Sequence, residues 1–210
     1  MRSLLVTALV LLATVLPASR TAAQTPAERW QRSYVAEARG DYDAALQEHL
    51  ALVGPTREGY LFHLRHGWLL YAGARSIDAL APYRRAVELR PDAVEPRLGL
   101  MLPLIALRRW REVVAVANEV HRLDEHNVTA RRRLAFALFS LGRFADALRE
   151  YERVLQHWPG DLEMRAGVGW CQLRLGRTRE AASTFDGILA VSPTNSSALA
   201  GSRLANVAAH

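Results

Sequence analysis

The chain repeats itself every 34 residues. Aligning GDYDAAL from Gly40, GRFADAL from Gly142 and GRTREAA from Gly176 exposes a period that runs without a gap from Pro26 to Asn195. It divides that stretch into units 26–59, 60–93, 94–127, 128–161 and 162–195. One column reads Ala45, Ala79, Val113, Ala147 and Ala181, and another reads His49, Tyr83, Ala117, Tyr151 and Phe185. A third reads Leu52, Ala86, Val120, Val154 and Ile188, and prolines at 91, 159 and 193 stand at unit ends. A fixed period of this length constrains the fold more than any other feature. Each unit is one supersecondary element that buries its apolar face only by stacking on its neighbours.

Within a unit, two stretches show apolar residues at helical spacing, each roughly twelve to fourteen residues long. In the first unit one helix is expected from about Ala27 to Gly40 and a second from about Asp43. Gly40, Gly142 and Gly176 fall where the first helix must stop, a place that favours a residue with positive φ. Ser33, Gly67, Ala135 and Gly169 on the first helices face the alanine column of the second, so the two axes can approach closely. Tyr83, Tyr151 and Phe185 then fill the space between neighbouring pairs, and the unit-end prolines terminate the second helices.

The columns and their period resemble the tetratricopeptide repeat family, over about four-fifths of the 210 residues. The resemblance implies an all-α, right-handed superhelical solenoid of stacked antiparallel helix pairs. It also implies a concave surface, made by the first helices, that binds extended peptides. Residues 24–195 make up the array, and 196–210 (SSALAGSRLANVAAH) are expected to form a C-terminal capping helix. The unit 94–127 departs from the pattern. It has Arg108 in the glycine column, Met101 in the small column, Val113 and Ala117 for the small and aromatic pair, and Glu125 for the terminal proline. Pro103 inside its first helix removes one backbone hydrogen bond.

The start of the chain reads as a secretory leader. Arg2 gives a positive start, Leu4 to Leu16 is an apolar run of thirteen residues ended by Pro17, and Thr21-Ala22-Ala23 places small residues at a cleavage site. A helix of that length reaches roughly 20 Å, short of the ~30 Å hydrocarbon core, so residues 1–23 are expected to be removed rather than to anchor. The expected location is therefore the periplasm of a Gram-negative bacterium, or otherwise outside the cell, with no stable membrane span left after cleavage.

Charge adds little to that. All 27 basic residues are arginine, against 21 acidic ones, and losing Arg2 and Arg20 leaves 27 − 2 = 25 against 21, a net +4. That modest charge and the expected export argue against nucleic acid as a partner. The single cysteine, Cys171, excludes an intramolecular disulfide framework and a multi-cysteine zinc site.

Catalytic chemistry is scarce. The sequence holds no Gly-rich phosphate loop, no HExxH and no GxSxG, so no enzyme, cofactor or metal site is expected. His63 and His66 share a helix face, but their columns face the partner helix and no third ligand is indicated. Asn127-Val128-Thr129 and Asn195-Ser196-Ser197 fit the glycosylation sequon and are read as incidental. Arg75, Arg109, Arg143 and Arg177 recur once per unit just after the first helix, an edge that would suit an anionic polymer. The run Arg131-Arg132-Arg133 adds a local basic cluster.

The concave surface implied by the resemblance carries Trp30, Tyr34, Trp68, Tyr71, Leu102, Arg132, Phe136, Phe139 and Trp170. Aromatics beside arginine are the composition enriched at binding hot spots. The family's carboxylate clamp of lysines and asparagines is absent: its columns hold Trp30, Leu64, Leu98, Arg132 and Ala166. The expected function is a non-catalytic exported scaffold that binds an extended apolar segment of a protein partner. The alternative is a component of polysaccharide export or envelope assembly, with the aromatics stacking on a glycan.

Overall fold

The computed structural model describes residues 25–52 and 54–208, and every regular element among them is helical. The expected leader, 1–23, lies outside the described residues. In chain order the helices are α1 (Pro26–Ala38), α2 (Tyr42–Leu50), α3 (Pro55–Glu58), α4 (Tyr60–Ala72), α5 (Ser76–Leu89), α6 (Glu95–Ala106), α7 (Trp110–Leu123), α8 (Val128–Ser140), α9 (Phe144–His157), α10 (Leu162–Arg174), α11 (Thr178–Val191) and α12 (Ser196–Ala208). Apart from the short α3, they pair as α1/α2, α4/α5, α6/α7, α8/α9 and α10/α11. Each pair stacks on the next, and α12 packs on α10 and α11. The result is an all-α solenoid of helix pairs.

Local sequence sets the ends of these helices. Thr25 and Glu28 form a reciprocal capping box at α1, and the side chains of Asp41, Asn127 and Asp161 accept first-turn N–H groups of α2, α8 and α10. Each first helix closes with the same left-handed corner. The N–H groups of Asp41, Arg75, Arg109, Arg143 and Arg177 reach back to the carbonyls of Ala36, Leu70, Leu104, Leu138 and Gln172 at 2.8–3.0 Å. The residue before each has φ of 75° at Gly40, 60° at Ala74, 55° at Arg108, 76° at Gly142 and 77° at Gly176.

Two of these corners thus force a side chain into the left-handed region, which costs about 1–2 kcal/mol per residue. Arg108→Gly is therefore expected to stabilise the protein by about 1 kcal/mol, net of the entropy glycine adds to the unfolded chain. In a thermal melt that is a rise in Tm of about 2–4 °C, with Arg108→Ala leaving Tm where it was. A melt of Arg108→Gly at or below wild type would show that the corner is not strained.

Between the pairs, ring fits into glycine. A Cβ placed on Gly67 would stand 2.8 Å from the ring of Tyr83, and one on Gly99, in the next pair, would overlap it. Phe185 lies in the same way between Gly169 and Gly201, and Tyr151 lies against Gly167, where a Cβ would come within 2.6 Å. Each second-helix ring is thus seated in a first helix of the following pair at a residue that must lack a side chain. Where the column holds neither tyrosine nor phenylalanine, the following column changes with it: Arg65 follows His49, and Arg133 follows Ala117.

The irregular unit is packed rather than loosened. Met101, Val113 and Ala117 are all fully buried, and α6 runs on past the buried Pro103 to Ala106.

Candidate binding face

The first helices bring the sequence-predicted residues to one face, in two separate cavities. The N-terminal cavity, about 470 Å³, is lined by Trp30, Tyr34, Leu64, Trp68 and Leu102 with Arg65 at its base. The C-terminal cavity, about 680 Å³, is lined by Arg132, Phe136, Phe139 and Trp170, with Ile105 and Arg133 on the side toward the first. Tyr71 joins neither: it is half-buried, packs on the core and meets Trp68 at 6.2 Å between ring centroids.

Burial divides the aromatic column. Tyr34 is 51% exposed, Trp68 38% and Phe136 46%, large apolar side chains open to solvent in a row. Trp170, in contrast, is half-buried. Its indole N–H donates to Ser197 Oγ at 2.9 Å and its ring meets Phe185 edge-on at 5.4 Å. Phe136 is held edge-on by Trp110, and Phe139 by Phe144. The aromatic column is therefore partly open surface and partly packing between pairs.

A polar network fixes the floor of the N-terminal cavity. The buried Arg65 donates to Ser33 Oγ at 2.9 Å and pairs with Glu37 at 2.8 Å, while Ser33 donates to the carbonyl of Ala45 at 2.8 Å. The guanidinium carbon lies 3.7 Å from the centroid of the Tyr34 ring, whose other neighbour is the stacked Trp30. Trp68 donates its indole N–H to Glu37, so the acid ties the exposed tryptophan to the buried cation. This arrangement presents preset aromatic surface, which lowers the ordering cost of binding.

The arginine edge is matched by acid. Arg75, Arg109, Arg143 and Arg177 stand just before α5, α7, α9 and α11, and pair with Asp78, Glu112, Asp146 and Glu180 one turn on. The edge carries alternating charge, with a carboxylate for every guanidinium. The run 131–133 splits three ways. Arg131 pairs with Glu150 at 2.9 Å, Arg132 pairs with Asp161, and Arg133 donates to the carbonyl of Leu98.

The remaining reactive side chains lie elsewhere. His49 is fully buried with Nε2 3.1 Å from the carbonyl of Phe62, and His66 lies 5.6 Å from it between ring centroids. Burial, with neighbouring cations, holds His49 down to about 3 and His66 to about 4, so both imidazoles are neutral packing groups at ordinary pH. Burial pushes the Cys171 thiol up to about 12, far from a reactive thiolate. Among the described residues no cluster of three or more metal-capable side chains occurs. The sequon residues Asn127 and Asn195 use their side-chain carbonyls as helix caps, accepting from Ala130 and Ala198 at 3.0 and 2.9 Å.

Sequence reasoning missed four contributors to this face. Leu204 and Val207, 53% and 77% exposed, stand one repeat further along the columns of Trp170 and Leu173. Extending the period one unit past residue 195 finds both. Leu61 lines the N-terminal cavity, and Ser197 holds Trp170. Only the folded packing shows those roles.

Among the described residues the chain is a helical solenoid whose first helices carry a row of exposed aromatic side chains. The tetratricopeptide repeat family model matches residues 138–203, so that stretch carries tetratricopeptide repeats. It is 39% identical over 74 residues to the Protein CTR9 homolog of Arabidopsis thaliana, of whose length it spans 7%. Several solved structures share the fold at low sequence identity. A tetratricopeptide repeat protein from Parabacteroides merdae has a TM-score of 0.78 at 14% identity, covering 89% of this chain and 74% of that one. MamA from Desulfovibrio magneticus has a TM-score of 0.75 at 13% identity, covering 81% and 97%. YrrB, described as a TPR protein with an unusual peptide-binding site, has a TM-score of 0.63 at 21% identity, covering 79% and 82%.

Proposed function

We propose that this chain is a non-catalytic scaffold that holds an extended, largely apolar segment of a partner protein against the inner face of its first helices. The observation that carries the reading is the open row of Tyr34, Trp68 and Phe136 over two cavities. Aromatic surface of this kind costs free energy in water and marks an interaction site. The shared fold with YrrB, a protein named for its peptide-binding site, supports the same assignment. Export belongs to the proposal: the mature protein, purified from its native host, is expected to begin at Gln24, and an intact Met1 by mass spectrometry would overturn it.

The test of the face separates binding from folding. Trp68→Ala is expected to weaken capture of a peptide ligand by about thirtyfold, the effect of a ~2 kcal/mol hot spot, while Tm changes little. Trp170→Ala should instead lower stability by about 3 kcal/mol, because its ring is packed and hydrogen-bonded between pairs. Unchanged capture by Trp68→Ala would place the binding surface elsewhere.

A further inference from the structure

Four poorly exposed or mid-groove arginines of this protein have a carboxylate partner. Arg65 has Glu37, Arg97 has Glu119 at 3.0 Å, Arg131 has Glu150 and Arg132 has Asp161. Arg133 differs. It is half-buried and lines the C-terminal cavity beside Ile105. It reaches back across α6 to the carbonyl of Leu98, toward the column that holds Gly99 and Leu102 of the other cavity. Among the described residues it has no carboxylate partner, and its one hydrogen bond goes to a neutral carbonyl. The nearest acid of that cavity wall, Glu163, is exposed and makes no ion pair with it.

A desolvated guanidinium without a counter-ion is costly, and such charges are ordinarily paired. Desolvation lowers the basicity of Arg133, as burial of an unmatched cation must, with Tyr71 and Tyr83 as ionisable neighbours among the described residues. The missing partner has a geometric place. To one side lies the aromatic surface of Trp30, Tyr34 and Trp68, and to the other that of Phe136 and Trp170.

We infer that the ligand is an extended peptide carrying an Asp or Glu side chain that pairs with Arg133, flanked on both sides by apolar anchors seated in the two cavities. This rests on the concave face being the peptide groove. Neighbouring helices lie about 8–10 Å apart, and an extended chain advances about 3.3 Å per residue. Each helix pair therefore spans about three ligand residues, which puts each apolar anchor roughly three to six residues from the acid.

The test selects random dodecapeptides displayed on phage against the full chain and against Arg133→Gln, Arg133→Lys and Trp68→Ala. The expected wild-type selection carries one central Asp or Glu between two apolar anchors. Changing that acid to its amide in a selected peptide should weaken wild-type binding by at least ~30-fold. Against Arg133→Gln the same change should make no further difference, and Arg133→Lys should keep the acidic preference with weaker binding. If Arg133→Gln does not fold, the acid-to-amide peptide pair on wild type decides the matter. Selected peptides with apolar anchors and no acidic excess would overturn the carboxylate pairing and leave the groove standing. Failure to select any peptide, or selection indifferent to Trp68→Ala, would overturn the groove itself.

Discussion

Gly99→Arg is expected to break the stack between α5 and α6. Arginine is the better helix former by about 1 kcal/mol, so on an isolated helix the change would be favourable. In the folded protein even a Cβ at this position overlaps the buried ring of Tyr83. Overpacking of this kind costs about 1–3 kcal/mol, and a buried cation adds to it, so a net loss of about 3 kcal/mol or more is expected. The decisive measurement is a double-mutant cycle. Tyr83→Ala alone leaves a cavity costing about 3–5 kcal/mol. Combined with Gly99→Arg it recreates, one unit earlier, the combination already present as Ala117 and Arg133. The two changes should therefore be sub-additive, with a coupling of about 1–3 kcal/mol. Additive losses in urea melts would mean that ring and glycine do not recognise each other.

Ala147→Arg should be the most damaging single substitution outside that seam. Ala147 is fully buried where α8 and α9 meet, with no accessible surface. A long side chain there must force the two axes apart or bury an unpaired charge, and about 4 kcal/mol or more of stability should be lost. Arg143→Ala, one turn earlier on the exposed edge, removes only a solvent-screened pair with Asp146 and should change stability by no more than ~0.5 kcal/mol. Circular dichroism melts of the two variants compare them directly, and equal midpoints would show that the buried and exposed faces have been exchanged.

Much of the architecture is legible from the columns because a repeat states each rule several times over. Gly40, Gly142 and Gly176 announce the corner, and the structure adds that Ala74 and Arg108 take the same backbone without glycine's freedom. The period places Arg108 in the glycine column only as a departure and does not single out Ala74, since corner geometry is fixed by the neighbouring pairs and not by the residue alone. Trp68 and Trp170 show the limit on the functional side. They occupy one column, yet the first is open and the second wedged, because Ser197 and Phe185 reach only Trp170. Column position gives the face; exposure depends on what the next helix brings. The arginine run 131–133 was equally opaque. Three identical neighbours take three different partners because each points from a different side of α8.

The seating of each ring in the following pair also bears on how such a chain can evolve. Removing 94–127 would join α5 to α8 and set the Tyr83 ring against Arg133, where a glycine is needed. Removing 128–161 would set Ala117 before Gly167, two small residues facing a void. The repeats are alike in length yet not interchangeable: each carries a bump or a hollow that only its successor answers. Recombination between units, the event that lengthens and shortens repetitive genes most readily, is therefore penalised at the protein level. Gain or loss of a unit here requires a matched change in its neighbour, and the order of the units is inherited as a whole.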